Sequence, residues 1–276
     1  MNHLTVDNFS LKNSLECGQT FCWNRTGDGY LTTDVGQVVY VEQRGDEILY
    51  DTSDTDVAIA GMLGLSDPLS QIQREICKDD FMKKSIDFAP GLRIVRDPFF
   101  PCLVSFICSI RNNIPNIRRT VQEIRNRFGP EYVFRGKEYH GFPTPETLAK
   151  TPPEKLRELG LDWRADFIAT TSKSIRSGEV NAEDLTKMDY EEAHTTLKTL
   201  RGVGDKVGDC VCLFSLGFLQ AFPIDVWIER VIQKQYGIFT ETGKSYAKKS
   251  ASARTYFGKY AGYAQEYLYY YSRSTF

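Results

Sequence analysis

A chain of 276 residues, 41% apolar and 25% charged, is long enough to bury a core and suits one large or two medium globular domains. Its net charge of −2 excludes a protein that is basic all over, and no apolar run approaches the ~18 residues of a membrane span, so no membrane partner is expected. Seven cysteines, odd in number and mostly in apolar settings, read as reduced thiols in a cytoplasmic compartment.

Residues 1 to 52 carry short β-type runs at 19–23, 30–33, 38–42 and 48–50, broken by turn residues such as Gly27-Asp28-Gly29, and predict an antiparallel sheet. The pattern turns helical over 54–85, through Val57, Ile59, Met62, Leu63, Ile72, Ile76 and Phe81, and Asp97-Pro98 with Pro101 marks the next boundary. Beyond 101 the chain is predicted to be almost entirely helical, ending in one helix at about 252–271. The expected fold is α+β and mostly α. An N-terminal domain over 1–98, an antiparallel β-sheet plus helices, packs on a helical domain over 99–276.

Within the helical part, apolar spacing predicts a helix up to Leu200 and another from about Asp205, joined by Gly202-Val203-Gly204. Glycine suits such a turn because it reaches positive φ without steric cost. The hairpin spans 190–217. Its second helix offers free N–H groups and a positive dipole end to an anion such as a DNA phosphate. Lys206 lies in the first turn with Cys210 four residues on, so both share a face. The positive end favours the neutral amine and should lower the lysine pKa from its usual value of about 10.4, leaving a possible nucleophile. Lys206 as a plain phosphate contact is the other reading of the hairpin alone. Asp225 follows Pro223 and precedes a further apolar-periodic run, the position of an N-cap whose carboxylate stays ionised.

Local charge is uneven. Seven Lys/Arg stand against three Asp/Glu over 111–140, and ten against six over 201–276. A basic face could supply phosphate contacts there, although a solvated surface of mixed charge fits excesses this small about as well. Three histidines and no paired Cys-x-x-Cys argue against a zinc site, and no metal or cofactor is expected. The N-terminal residues lack a signal-peptide profile.

The hairpin and its following Asp, with Glu16-Cys17-Gly18-Gln19-Thr20-Phe21, Phe106-Ile107-Cys108-Ser109, Tyr139-His140-Gly141-Phe142-Pro143 and Tyr260-Ala261-Gly262-Tyr263-Ala264-Gln265, resemble the helix-hairpin-helix (HhH-GPD) glycosylase superfamily. Within it the chain is similar to the 8-oxoguanine DNA glycosylases over nearly its whole length. The resemblance implies a base-excision enzyme that binds double-stranded DNA containing 8-oxoguanine, extrudes the damaged nucleotide and cleaves the strand. Lys206 would be the nucleophile and Asp225 the group that stabilises charge on the sugar. The Gly18 carbonyl would accept the N7 proton that distinguishes 8-oxoguanine from guanine. Gln265 would read the Watson–Crick edge, and Tyr269 would stack on the base opposite Cys210. Tyr269 stands where well-known members have Phe. Trp163 matches an aromatic wedge, or else a buried helix start, and Arg164 matches a contact to the orphaned cytosine. Gly202 and Gly204 would grip backbone phosphate. Related enzymes place a four-cysteine iron–sulfur cluster after the hairpin; no cysteine follows Cys212, which excludes it here. A monomer in the cytoplasm, nucleoid-associated in a prokaryote, is the default expectation.

Two departures bear on specificity. Eukaryotic members read Asn-Asn-Asn-Ile-x-Arg-Ile where this chain has Arg111-Asn112-Asn113-Ile114-Pro115-Asn116-Ile117. Two of three cytosine contacts are altered, with Asn112 and Asn113 left as DNA-binding candidates, and looser opposite-base preference follows. Trp227 replaces a phosphate-contacting His. Two other readings compete: a related glycosylase with another target base, and a helix-hairpin-helix DNA-binding protein without catalysis.

Overall fold

The computed structural model describes residues 1–237 and 240–275. The chain forms two compact units, each assembled from separated stretches. Both draw on the segments 1–98 and 99–276.

The first unit comprises Met1–Val6, Thr20–Ala58 and Asp97–Gly204. Strands β1 (Asn2–Thr5), β2 (Asn24–Thr26), β3 (Gly29–Thr32), β4 (Val39–Arg44) and β5 (Glu47–Thr52) form an antiparallel sheet in the order β1-β5-β4-β3-β2. Three of the predicted strands are present. The run at 19–23 is not a strand. Within this unit, the Thr20 hydroxyl donates to Asp97 at 3.0 Å and accepts from the Cys22 N–H at 3.0 Å, so local side-chain bonds stand where a ladder would. Phe21, Cys22 and Trp23 are all buried, which explains an apolar run without strand pairing. The N-terminal β1 has no strong pattern of its own and is fixed by pairing with β5.

A second correction concerns the region beyond 101. It is not all helix, because β6 (Glu131–Phe134) and β7 (Lys137–His140) form a hairpin. Its two turn residues, Arg135 and Gly136, have φ of 50° and 72°, the backbone a two-residue β-turn requires. Phe134 buries with Leu31, Val38 and Tyr40, and Tyr132 and Tyr139 pack on that cluster. The Arg135 guanidinium lies 4.8 Å from the Tyr40 ring centroid and pairs with Asp51 at 2.9 Å. Long-range burial therefore makes strands of residues whose local pattern is charged.

The other helices of this unit include Phe99–Cys108, buried from Phe100 onward, Ile114–Phe128 and Arg164–Ser177. Arg125 and Asp34 form a fully buried ion pair at 2.6 Å.

The second unit comprises Asp7–Gln19, Ile59–Arg96 and the chain from Asp205 onward. It is helical, and the Ala261–Thr275 helix is buried at every position from Ala261 to Leu268. Enclosure on all sides removes the amphipathic signature that sequence patterns depend on. The single helix predicted at 252–271 is in fact two, Tyr246–Phe257 and Ala261–Thr275, parted by a 3₁₀ turn. Gly258, at φ 77°, makes the break. Among the described residues no helix is long and apolar enough to cross a membrane.

Candidate active site

The site residues of the second unit converge. Asp225 caps the Val226–Gln235 helix as predicted, its Oδ1 accepting the Trp227 and Ile228 N–H groups at 3.0 and 2.9 Å. Burial pushes the Asp225 carboxyl above its ordinary range, opposed by the Ile228 N–H, the positive charge of Lys206 and the Trp227 N–H. The cap bonds favour ionisation as expected, yet burial outweighs them.

Lys206 and Cys210 lie on the Asp205–Phe214 helix. Burial raises the Cys210 thiol to about 12, Lys206 pulls it down, and Asp209, Asp225 and Glu266 push it up further. Lys206, Asp209, Asp225 and Glu266 therefore all lie close enough to act on the Cys210 thiol. A thiol so perturbed is a soft packing surface, not a nucleophile.

One tyrosine locks the elements that carry Lys206 and Asp225. The Tyr246 hydroxyl donates to Asp209 at 2.6 Å and accepts from the Ile224 N–H at 3.1 Å. Asp209 is one helical turn beyond Lys206, and Ile224 immediately precedes Asp225.

Gly18 has φ +112°, and a Cβ built there would stand 2.9 Å from Tyr269 Cε1 and 3.3 Å from Arg273 Nη1. Only glycine accommodates both the backbone conformation and the approach. Gln19 anchors the same segment, its amide donating to the carbonyls of Ser14 and Arg93 at 2.7 Å and accepting the Val95 N–H at 2.9 Å. Gln265 is 4% exposed, and its Oε1 has no hydrogen-bond partner. Glu266 Oε1 is likewise buried without one, and burial lifts this carboxyl to about 7.

The residues assigned to DNA contacts in the first unit make mainly internal bonds. Asn113 caps the Ile114–Phe128 helix through the Asn116 N–H at 2.9 Å. Asn112 donates to the Cys108 carbonyl at 3.0 Å and accepts from the Asn113 N–H and the Asn116 amide. Arg164 is buried and donates to the Ile110 and Arg111 carbonyls. Trp163 is 42% exposed, with its ring 5.2 Å from Phe167 and the Arg164 guanidinium 4.5 Å from its centroid. Of the two readings of Trp163, a buried helix start is excluded. Gly202 has φ +85° and abuts Phe167, whose Cδ2 would lie 2.4 Å from an added Cβ, whereas Gly204 faces open space.

Sequence reasoning missed Tyr246, Glu266 and Arg273. Glu266 and Arg273 lie three residues before and four after Tyr269 on one helix, so periodicity could have found them. Tyr246 acts across more than twenty residues and left no local signal. Trp227, in place of the family histidine, stacks under the Arg230 guanidinium at 5.1 Å. Among the described residues no group of three or more His, Cys, Asp and Glu is placed to hold a metal ion.

The helices Tyr190–Leu197 and Asp205–Phe214, joined through Gly202 at φ +85°, make a helix-hairpin-helix. The description "HhH-GPD superfamily base excision DNA repair protein" matches residues 104–254, and "8-oxoguanine DNA glycosylase, N-terminal domain" matches residues 3–103. The N-glycosylase/DNA lyase of Saccharomyces cerevisiae is 32% identical over 83% of this chain and 68% of its own. The N-glycosylase/DNA lyase OGG1 of Arabidopsis thaliana is 28% identical over 96% of this chain and 78% of its own. The 8-oxoguanine glycosylase/lyase of Clostridium acetobutylicum, solved with double-stranded DNA containing cytosine opposite 8-oxoguanine, superposes with a TM-score of 0.90 at 33% identity, covering 98% of this chain and 93% of its own. The chain belongs to the HhH-GPD superfamily and, within it, to the 8-oxoguanine N-glycosylase/DNA lyases.

Proposed function

We propose that this enzyme excises 8-oxoguanine from double-stranded DNA through a covalent intermediate on Lys206 and then cleaves the strand. The observation that carries the reading is the placement of Lys206 where its charge acts on both Asp225 and Cys210, together with the unpartnered buried carboxamide oxygen of Gln265. A buried polar atom without a partner costs about 1–3 kcal/mol, and a bound ligand that donates to it recovers that cost.

The duplex must release the nucleotide into the pocket, because C1′ is inaccessible in the stack. The Lys206 amine then attacks C1′, the bond from C1′ to N9 breaks, and the base leaves with the electron pair and takes up a proton. Anionic Asp225 stabilises the positive charge developing on the sugar. Opening of the sugar ring gives an imine between Nζ and C1′. Loss of a C2′ proton then expels the 3′ phosphate, which is β-elimination.

Gly18 supplies the carbonyl that accepts the N7 proton of the oxidised base, Gln265 reads the Watson–Crick edge, and Tyr269 and Cys210 face the base from either side. Trp163, Arg164, Asn112 and Asn113 belong to recognition of the opposite strand, and Gly202 and Gly204 to phosphate binding. Altered cytosine contacts relax the opposite-base preference. The enzyme acts as a monomer in the cytoplasm, without a cofactor, in two sequence domains over 1–98 and 99–276.

Borohydride trapping on a duplex with one 8-oxoguanine tests the chemistry. Wild type should form a covalent adduct and Lys206→Gln none, with base release slowed by at least about 10³-fold. Base release without an adduct would mean a water nucleophile, and binding without either would favour a non-catalytic DNA-binding protein.

A further inference from the structure

We infer that Arg273 is a positioning residue for base recognition, a clasp that holds the Gly18 segment against the Tyr269 ring. This rests on the assignment of Gly18 and Tyr269 to the base pocket.

Arg273 sits in the last turn of the Ala261–Thr275 helix, four residues after Tyr269, so both side chains project from one face. Its Nη2 donates to the Glu16 carbonyl at 3.1 Å, two residues before Gly18. Its Nη1 lies against Gly18 itself, 3.3 Å from where a Cβ would stand. The same guanidinium is 5.4 Å from the Tyr269 ring centroid and 5.8 Å from that of Tyr270. A single planar cation thus touches the strained turn that carries the proposed N7 acceptor and the ring proposed to stack on the base. Guanidinium suits this geometry because it presents in-plane N–H groups to a carbonyl and a flat face to an aromatic ring.

Near a helix C-terminus a basic residue also interacts favourably with the helix dipole. That role needs only a charge. It does not require contact with Glu16, Gly18 and Tyr269 together, so the two roles respond differently to substitution.

Gly18 and Tyr269 serve the base, whereas Lys206 and Asp225 serve the sugar. Loosening the clasp should therefore slow base release and spare cleavage at a site that already lacks its base. The test uses the full chain on two duplexes, one with 8-oxoguanine opposite cytosine and one with an abasic site at the same position, under single-turnover conditions. Arg273→Met, which keeps the stem and loses the cation, should release base at least about tenfold more slowly while cleaving the abasic duplex at close to the wild-type rate. Arg273→Lys, which keeps the charge and N–H donors but not the planar face, should fall between the two, about threefold slow.

Equal loss of both activities in a folded variant would mean a general structural role and overturn the inference, as would unaltered base release. If Arg273→Met fails to fold, Arg273→Lys decides: wild-type base release in that variant overturns the clasp. Wild type inactive on both duplexes would instead refute the proposed function.

Discussion

Arg125 and Asp34, in the first unit, form a buried ion pair in which the guanidinium spends its donors internally: two on Asp34, one on the Phe21 carbonyl at 2.8 Å and one on Gln122. In the second unit, Gln265 and Glu266 are as deeply buried, yet each keeps an oxygen with no partner. Both clusters cost free energy to desolvate. The first recovers it within the fold, while the second leaves part of it for something outside the chain to recover. A closed network of this kind holds structure together, and the open one at Gln265 lies where the proposed base would bind.

The sharpest way to break the contrast is to open the closed network. Asp34→Ala leaves the Arg125 charge in the interior without its counter-ion, an outcome that costs about 3–5 kcal/mol. Chemical denaturation of the variant should show a loss of that size, and a loss under about 1 kcal/mol would contradict the closed description.

The open cluster should respond in activity instead. Gly18→Ala forces a Cβ to within 2.9 Å of Tyr269 and a side chain onto φ +112°. Base release should fall about a hundredfold, close to 2.7 kcal/mol, as the recognition elements shift. Single-turnover kinetics read this directly, and wild-type rates would remove Gly18 from the base pocket.

A smaller effect concerns the pH dependence of the open cluster. Burial raises the Glu266 carboxyl from about 4.5 to about 7, so the folded protein holds that proton more tightly than the unfolded chain does. The resulting stabilisation is fully present below the unfolded pKa and is lost as pH rises from about 4.5 through 7. Asp97 in the first unit, raised by burial to about 7, titrates in the same window. Glu266→Gln should therefore reduce, not abolish, the fall in stability between pH 5 and 7.5, by about 1–2 kcal/mol. Denaturation midpoints at the two pH values give the answer, and an identical slope in the variant would mean that Glu266 does not titrate there.

The sequence carried the hairpin, the Asp225 cap and three of the five sheet strands because each has a local cause: glycine at positive φ, a carboxylate before a helix, an alternating apolar run. It did not carry β6 and β7, whose pairing depends on burial of Phe134 against strands a hundred residues earlier. The same holds for Tyr246, which joins Asp209 to Ile224 through contacts that no spacing rule encodes. Gln265 and Tyr269 are singled out by resemblance alone, whereas the position of Glu266 follows from helical spacing and its raised pKa from the enclosure of the helix.

The smallest expected effect concerns the opposite strand, where the comparison of the two units is most demanding. Asn112 and Arg164 already bond the carbonyls of Cys108, Ile110 and Arg111, and Asn112 and Asn113 accept from Asn116. A residue that must surrender an internal hydrogen bond to reach a base gains only the difference between two similar bonds, typically a fraction of a kcal/mol. Arg111 and Pro115, moreover, occupy positions where eukaryotic relatives read Asn and a variable residue, and Asn116 stands where they carry Arg. We therefore expect excision of 8-oxoguanine opposite cytosine to exceed that opposite adenine by less than about tenfold, under about 1.4 kcal/mol. Single-turnover excision from duplexes with each of the four opposite bases measures this. Discrimination of a hundredfold or more would show that the first unit gives up its internal bonds on binding DNA, and that its polar network is closed only in the free protein.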